Sequence, residues 1–382
     1  MKKISYIFFF LLGLFTLLSQ TILLREYIYF FRGNELSIAF FYFSWFFWIA
    51  AGALAAKSFW RVCGFIERNF DLFTVVYPLL LPLQILSIRY LRTLAGYEPY
   101  EVIPPHVTAV SALLSNLPLS FFTGMLFTSG SARFARFAGR AVSTGFIVES
   151  AGSFAGGAAA TYLIYTALQP IDAAYIASAF FIAIPFLSVF SDTKIEGLRR
   201  SGFFIPAISA VLLAGLIACY LAGGFARMKD FAADARFSGA VPEASLIKDI
   251  DTEYQSVSIG KLRDQHLALL NGTVSLSFPF VEERRALTGI LFGQKEGIDD
   301  VLLIGEGALQ VVDAALEYPV RAVTLMIPDF RLLEAIKETI PEKDIAFLSD
   351  KRLRIICGDP RLEIRKMAEA RHEFDLVLVL TG

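Results

Sequence analysis

Charge is what this chain has least of in its first half. Up to Gly224 the sequence is a succession of hydrophobic runs of membrane length, and charged residues return at ordinary density only beyond it. There is no basic excess either. Lys and Arg number 35 against 36 Asp and Glu, a net charge of -1 that argues against nucleic acid as a partner. The three cysteines, Cys63, Cys219 and Cys357, are scattered without disulfide or metal-ligand spacing. No small-residue cleavage site follows the run 4–24, which is also too long for the core of a secretory signal, so a cleaved leader is not expected.

What the chain does have is apolar surface. Its mean hydropathy of +0.57, its 55% hydrophobic residues and its 37 phenylalanines are too much for a soluble protein of this length. A helical span needs about 20 apolar residues. The sequence predicts seven, at 4–24, 36–56, 72–91, 107–128, 145–168, 171–191 and 202–221. The fifth and sixth are split at Gln169-Pro170, where proline ends a helix and a tight hairpin fits. Loop charge sets the orientation. Lys2, Lys3, Lys57, Arg61, Arg68, Arg133, Arg136, Arg140, Lys194, Arg199 and Arg200 fall on one side; Arg25, Arg32, Arg89 and Arg92 fall on the other. That asymmetry places the N-terminus in the cytoplasm, and seven spans then place the C-terminal part on the extracytoplasmic side. Arg227 and Lys229 pull the other way.

Charged residues inside a span are expensive and mark candidates for function. Glu149, in GFIVESAGSFAGG, shares one helical face with Gly152 and Gly156. That face reads as a glycine-lined packing seam, or alternatively as a proton or cation site. Arg25 and Glu26 close the first span, and Arg32, Gly33, Asn34 and Glu35 open the second. This is a helix end and turn whose arginines can snorkel to the interface. Arg25, Glu26 and Glu149 form the polar set of the membrane half.

Residues 1–224 thus read as a transmembrane bundle and 225–248 as an amphipathic linker. Residues 249–290 read as a small antiparallel β-domain, with YQSVSIG, a turn at Arg263-Asp264, and LALLNG. In 291–382 helix and strand alternate: VLLIGEG, a helix over 308–317, AVTLMI, a helix over 330–339, LRIICGD and FDLVLVL. That is a doubly wound α/β pattern, whose ligands sit at the carboxyl ends of strands. Gly305 and Gly307 would let backbone approach a ligand there.

EYQSVSI, LALLNG, VLLIGEGALQVV, LLEAIKETIP, LRIICGDPR and FDLVLVL, in that order and spacing, resemble the polyamine aminopropyltransferases (spermidine synthases). These have a small β-domain followed by a methyltransferase-like Rossmann domain. LLREYIYFFRGNELSIAFFYFSW and VESAGSFAGG resemble the bundle of the membrane-fused members. The resemblance implies a site for decarboxylated S-adenosylmethionine or a related nucleoside. Gly305 and Gly307 match its glycine loop, with Leu309 in place of the last glycine. Gln255 matches a glutamine lining the site, and Asp359 the acid that contacts the adenine. Ile327 stands where the family has its ribose-binding glutamate, and Asp329 matches the acid two places later. Phe280 falls near the substrate-binding Asp-Glu pair, leaving Glu282 and Glu283 displaced. Leu380 occupies the position of the catalytic aspartate.

Aminopropyl transfer requires a neutral amine to attack carbon beside a sulfonium, so carboxylates must anchor the diamine and take its proton. Leucine does neither. The chain also stops at Thr381-Gly382, straight after the fourth strand, which reads as a partial Rossmann domain. The expectation is a multi-pass protein of the plasma (inner) membrane carrying a diverged, non-catalytic spermidine-synthase-like domain. Its partners would be the lipid bilayer, a ligand, and other membrane or extracytoplasmic proteins. Two readings stay open beside it: a membrane-anchored aminopropyltransferase or S-adenosylmethionine-dependent transferase, and a transporter with a regulatory α/β domain.

Overall fold

The computed structural model describes residues 2–32, 34–58, 60–97, 101, 103–135, 141–165, 170–187, 204–279 and 282–380. Gly33, Arg136, Arg140, Gln169, Lys194, Arg199, Arg200, Phe280, Thr381 and Gly382, all used above, lie outside the described residues. The chain divides into two compact units, Met1–Gly239 and Ala240–Gly382.

The first unit is helical: α1 (Lys2–Phe30), α2 (Glu35–Ser58), α3 (Trp60–Val76), α4 (Leu80–Ala95), α5 (Pro105–Ala135), α6 (Ala141–Tyr165), α7 (Pro170–Leu187), α8 (Phe204–Leu221) and α9 (Gly224–Ala240). Four helices among the described residues are long and apolar enough to cross a membrane: Tyr6–Phe30, Glu35–Ser58, Asn69–Leu91 and Pro105–Ala135. A fifth is possible if the bent pair Ile205–Leu221 and Gly224–Ala240, turned by 76°, counts as one span. These candidate spans suggest a membrane protein. Of the other predicted spans, the fifth corresponds to α6, which is diluted by Glu149 and small residues; the sixth is described as a shorter apolar helix, Ile171–Ala183. The third span is not one smooth helix. It starts at a kink where Asn69 leaves helical geometry (φ -110, ψ 17), then passes through a 3₁₀ turn at Tyr77–Leu79. Pro78 accounts for that turn, since it has no N–H to donate.

Two helix crossings are close enough to require glycine. A Cβ on Gly152 of α6 would lie 1.9 Å from the Phe10 carbonyl oxygen of α1, and one on Gly52 of α2 would lie 2.0 Å from that of Phe121 in α5. Small residues at such crossings let backbones touch, which is what holds helices together once lipid surrounds them. Inside, the rings of Phe15, Tyr77 and Phe181 meet edge-on or tilted at centroid distances of 5.1–5.3 Å. Phe43, Phe46 and Phe154 point outward.

The second unit begins with a four-stranded antiparallel sheet, β1 (Ser245–Asp251), β2 (Ser256–Leu262), β3 (Gln265–Leu270) and β4 (Thr273–Phe278), paired in chain order. Asn271 and Gly272 both take positive φ (48 and 78), as a two-residue hairpin between right-twisted strands demands. The stretch expected as a linker holds α9 and the start of β1. After α10 (Glu282–Phe292) come β5 (Asp300–Ile304), a 3₁₀ turn (Glu306–Ala308), α11 (Leu309–Leu316) and β6 (Ala322–Ile327). Then follow α12 (Phe330–Thr339), β7 (Leu353–Cys357), α13 (Pro360–Glu369) and β8 (Leu376–Val379). The four strands are parallel in the order β7-β6-β5-β8. Val301, Leu303, Val323 and Leu325 on one face and Leu302, Ile304 and Met326 on the other are buried, the near-continuous apolar runs expected of central strands covered on both faces.

Candidate functional site

Strand order reverses beside β5, with β6 on one flank and β8 on the other, so the crevice at their carboxyl ends is where such a sheet binds ligands. Gly305 leaves β5 there at φ 100, ψ 165, a conformation essentially restricted to glycine. Its N–H donates to the Met326 carbonyl at 2.9 Å, locking the turn against β6. Gly307 faces Leu380 across the crevice: a Cβ added to it would lie 3.1 Å from the Leu380 carbonyl oxygen. The Leu380 N–H in turn donates to Ile304 at 2.9 Å. The position that resemblance assigns to a catalytic base is therefore at the switch point, and it carries no titratable group. Leu309, in the place of the last glycine, is fully buried.

Asp329 caps α12 from the end of β6. One carboxylate oxygen accepts from the Leu332 N–H at 3.2 Å; the other accepts from the Thr252 hydroxyl at 2.7 Å and from Gln255 Nε2 at 3.2 Å. It is 1% exposed. Gln255 and Asp329, both candidates for cofactor contact, are thus brought together, but onto each other. Asp359 ends β7 as the N-cap of α13, accepting from the Arg361 N–H at 2.9 Å, and it remains exposed.

Sequence reasoning missed Glu306 and Tyr254. Burial, with Asp329 nearby, pushes the Glu306 carboxyl above the usual glutamate range. Partial burial raises the Tyr254 phenol, and Glu253, Asp329 and Asp359 raise it further. Burial and then Asp329 raise the Cys357 thiol, while Lys337 acts the other way. Glu253, Asp329 and Asp359 are thus the acids near enough to Tyr254 to act on its phenol, and of these Asp329 is buried. Glu306 was hidden because it sits between two glycines and reads as loop.

The membrane polar set does not assemble into one site. Glu26 is buried and receives both Arg89 Nε, at 2.8 Å, and a second Arg89 nitrogen in a bidentate pair. Arg236 of α9 stands 3.8 Å from the same carboxylate, its guanidinium 4.5 Å over the Tyr29 ring. Glu149 packs against Gly13, thirteen residues or about 20 Å down α1 from Glu26, and accepts from the Ser153 hydroxyl at 3.1 Å. Arg25 is half-buried. Helix length separates Glu149 from Glu26, and the partners of Glu26 lie 63 and 210 positions away.

Together these features define a helical unit with apolar candidate spans joined to an α/β unit with a glycine turn at its switch point. No family model matches the chain. It is similar to the polyamine aminopropyltransferase of Korarchaeum cryptofilum (strain OPF8), at 33% identity over 84 residues, 22% of this chain and 25% of that protein. Among solved structures it is similar to spermidine synthase from Thermotoga maritima (20% identity, 35% of this chain and 47% of that one, TM-score 0.31). It is also similar to a spermidine synthase in complex with the transition state analogue AdoDATO (20% identity, 35% and 46%, TM-score 0.31). The chain spans a quarter of the curated relative's length and under half of each solved chain. The C-terminal part has a distant similarity to polyamine aminopropyltransferases.

Proposed function

We propose that this is a multi-pass membrane protein whose C-terminal unit is a diverged spermidine-synthase-like domain. In this reading it binds a ligand of the decarboxylated S-adenosylmethionine or related nucleoside class without transferring its aminopropyl group. The observation that carries the reading is Leu380 at the switch point opposite Gly307, where a base is needed and an aliphatic side chain stands. The commitment of Asp329 to Thr252, Gln255 and the cap of α12 supports it, because a carboxylate holding three internal donors is poorly placed to take a ribose hydroxyl pair. Gly305, Gly307, Glu306, Tyr254 and Asp359 are left to cradle the ligand. General base catalysis contributes about 10²–10⁴-fold, so its loss removes turnover before it removes binding. Calorimetric titration with methylthioadenosine and a turnover assay with decarboxylated S-adenosylmethionine and putrescine test the reading. Binding without turnover supports it, and turnover overturns it.

A second reading, a membrane-anchored transferase, is favoured by Glu306 alone, whose raised pKa would suit a general base. Turnover that disappears in Glu306→Gln would establish it. Seven spans with a cytoplasmic N-terminus would put the C-terminal unit in the extracytoplasmic space. A reporter active only in the cytoplasm, fused after Gly382, should stay dark; a bright signal reverses that orientation.

A further inference from the structure

Two hydrogen-bonded rungs cross the interior of the helical unit. In the lower one the Tyr77 hydroxyl meets Thr16 of α1 at 3.2 Å and Thr123 of α5 at 2.6 Å. The upper one is the bidentate Arg89–Glu26 pair between α4 and α1, with the Tyr27 hydroxyl donating to the Thr108 carbonyl of α5 at 2.8 Å beside it. The rungs fix the helix directions. Going from Thr16 to Glu26 on α1 and from Tyr77, in the 3₁₀ turn before α4, to Arg89 on α4 climbs the same way, whereas going from Thr123 to Thr108 on α5 runs against its chain direction.

Between the rungs lie buried polar atoms that find no partner among the described residues. Ser19 is three residues above Thr16, and Ser120 is three residues from Thr123 on the same climb, so both stand about 4.5 Å above the lower rung. Asn116 is seven residues from Thr123, about 10 Å above it, and Gln84 lies in α4, seven residues beyond Tyr77 through the 3₁₀ turn and at a similar height. Offsets of three and seven keep Ser19, Ser120 and Asn116 on the helix faces that make the rung. Ser19, Asn116 and Ser120 are 0% exposed and Gln84 is 2% exposed. Among the described residues the hydroxyls of Ser19 and Ser120, both amide atoms of Gln84, and Asn116 Oδ1 have no hydrogen-bond partner, while Asn116 Nδ2 donates to the Ser44 hydroxyl at 2.7 Å and the Phe41 carbonyl at 3.1 Å, both of α2. Buried polar groups in folded proteins are otherwise almost always satisfied, commonly by internal water.

The chemistry of the orphaned atoms selects what can sit among them. Gln84 Nε2 only donates, Gln84 Oε1 and Asn116 Oδ1 only accept, and the two hydroxyls do either. A bare cation would leave the Gln84 donor unmet. An anion would leave both amide oxygens unmet. We propose that these atoms form a binding site for small neutral molecules that donate and accept hydrogen bonds at once, with water as the resident ligand.

Water-edited solid-state NMR of the full chain in lipid bilayers, with ¹⁵N-labelled glutamine side chains, tests this directly. Gln310 is the dry reference: it is 4% exposed, its amide donates to the Ser275 carbonyl, and its oxygen accepts from Arg284 at 3.0 Å. The Gln84 amide should gain signal from water several-fold faster than Gln310, and Gln84→Met should delete that fast signal. Should that variant fail to fold, Ser120→Ala is expected to shift the same resonance and leave the other glutamines in place. A Gln84 amide that fills no faster than Gln310 means a dry site and ends the proposal.

Discussion

Gly152→Ala isolates the crossing of α1 and α6 from everything else a glycine does. The added methyl would start 1.9 Å from the Phe10 carbonyl oxygen, with the Phe10 backbone carbons at 2.7 and 2.9 Å, so backbone and not a pliable side chain must retreat by about 1 Å. Overpacking of that kind costs about 1–3 kcal/mol. Alanine also favours a helix over glycine by about 1 kcal/mol, which masks part of the cost. Gly215→Ala supplies the correction, because Gly215 lies in α8 with nothing within 4 Å of its missing Cβ. Subtracting one variant from the other cancels the helix preference and leaves the contact. Thermal unfolding of purified protein in detergent should place Gly152→Ala about 2–12 °C below Gly215→Ala for a unit of this size. Equal melting temperatures for the two variants would show that the helices do not meet at Gly152.

Glu26→Gln should destabilise the helical unit by about 3–5 kcal/mol, because Arg89 and Arg236 would keep their charges around a neutral amide; the yield of folded protein and its melting temperature report this. Asp329→Ala removes a helix cap and leaves Thr252 and Gln255 without their acceptor. About 2–4 kcal/mol should be lost, with α12 amides exchanging faster in hydrogen-exchange measurements. Glu306→Gln should stabilise the α/β unit at neutral pH. The fold raises this carboxyl above its unfolded value of about 4.3, so the charged form weakens folding as pH climbs through and past that value. Denaturant midpoints of the two proteins should converge below about pH 4, and a gap that persists there would assign the effect to packing instead of charge.

The strands of the parallel sheet were legible because VLLI and AVTLMI are short, nearly unbroken apolar runs, which is what a strand buried on both faces must be. β1 was not: SLIKDID alternates partly exposed and charged residues, and it pairs with β2 through a register shift between Leu246 and Lys248. The glycine turn at Gly305 could be read locally, since φ 100 at a strand end needs glycine. The role of Asp329 could not, because its partners Thr252 and Gln255 lie 77 and 74 positions away. The same holds in the bundle. Apolar length announces a candidate span, but nothing along the chain says that Arg89, read as a loop charge, turns inward to meet Glu26.

The α1–α6 crossing has a consequence for how the chain is built. α1 presses its backbone against a helix that emerges more than a hundred residues later, at Gly152. Until then α1 has its tightest contact surface bare and Glu26 still waiting for Arg236 from α9. Insertion therefore cannot finish helix by helix. The early segments must be kept apart from foreign neighbours by the insertion machinery until α6 arrives to close the bundle. Nascent chains arrested before α6 should crosslink to that machinery through α1, and chains arrested beyond α9 should not.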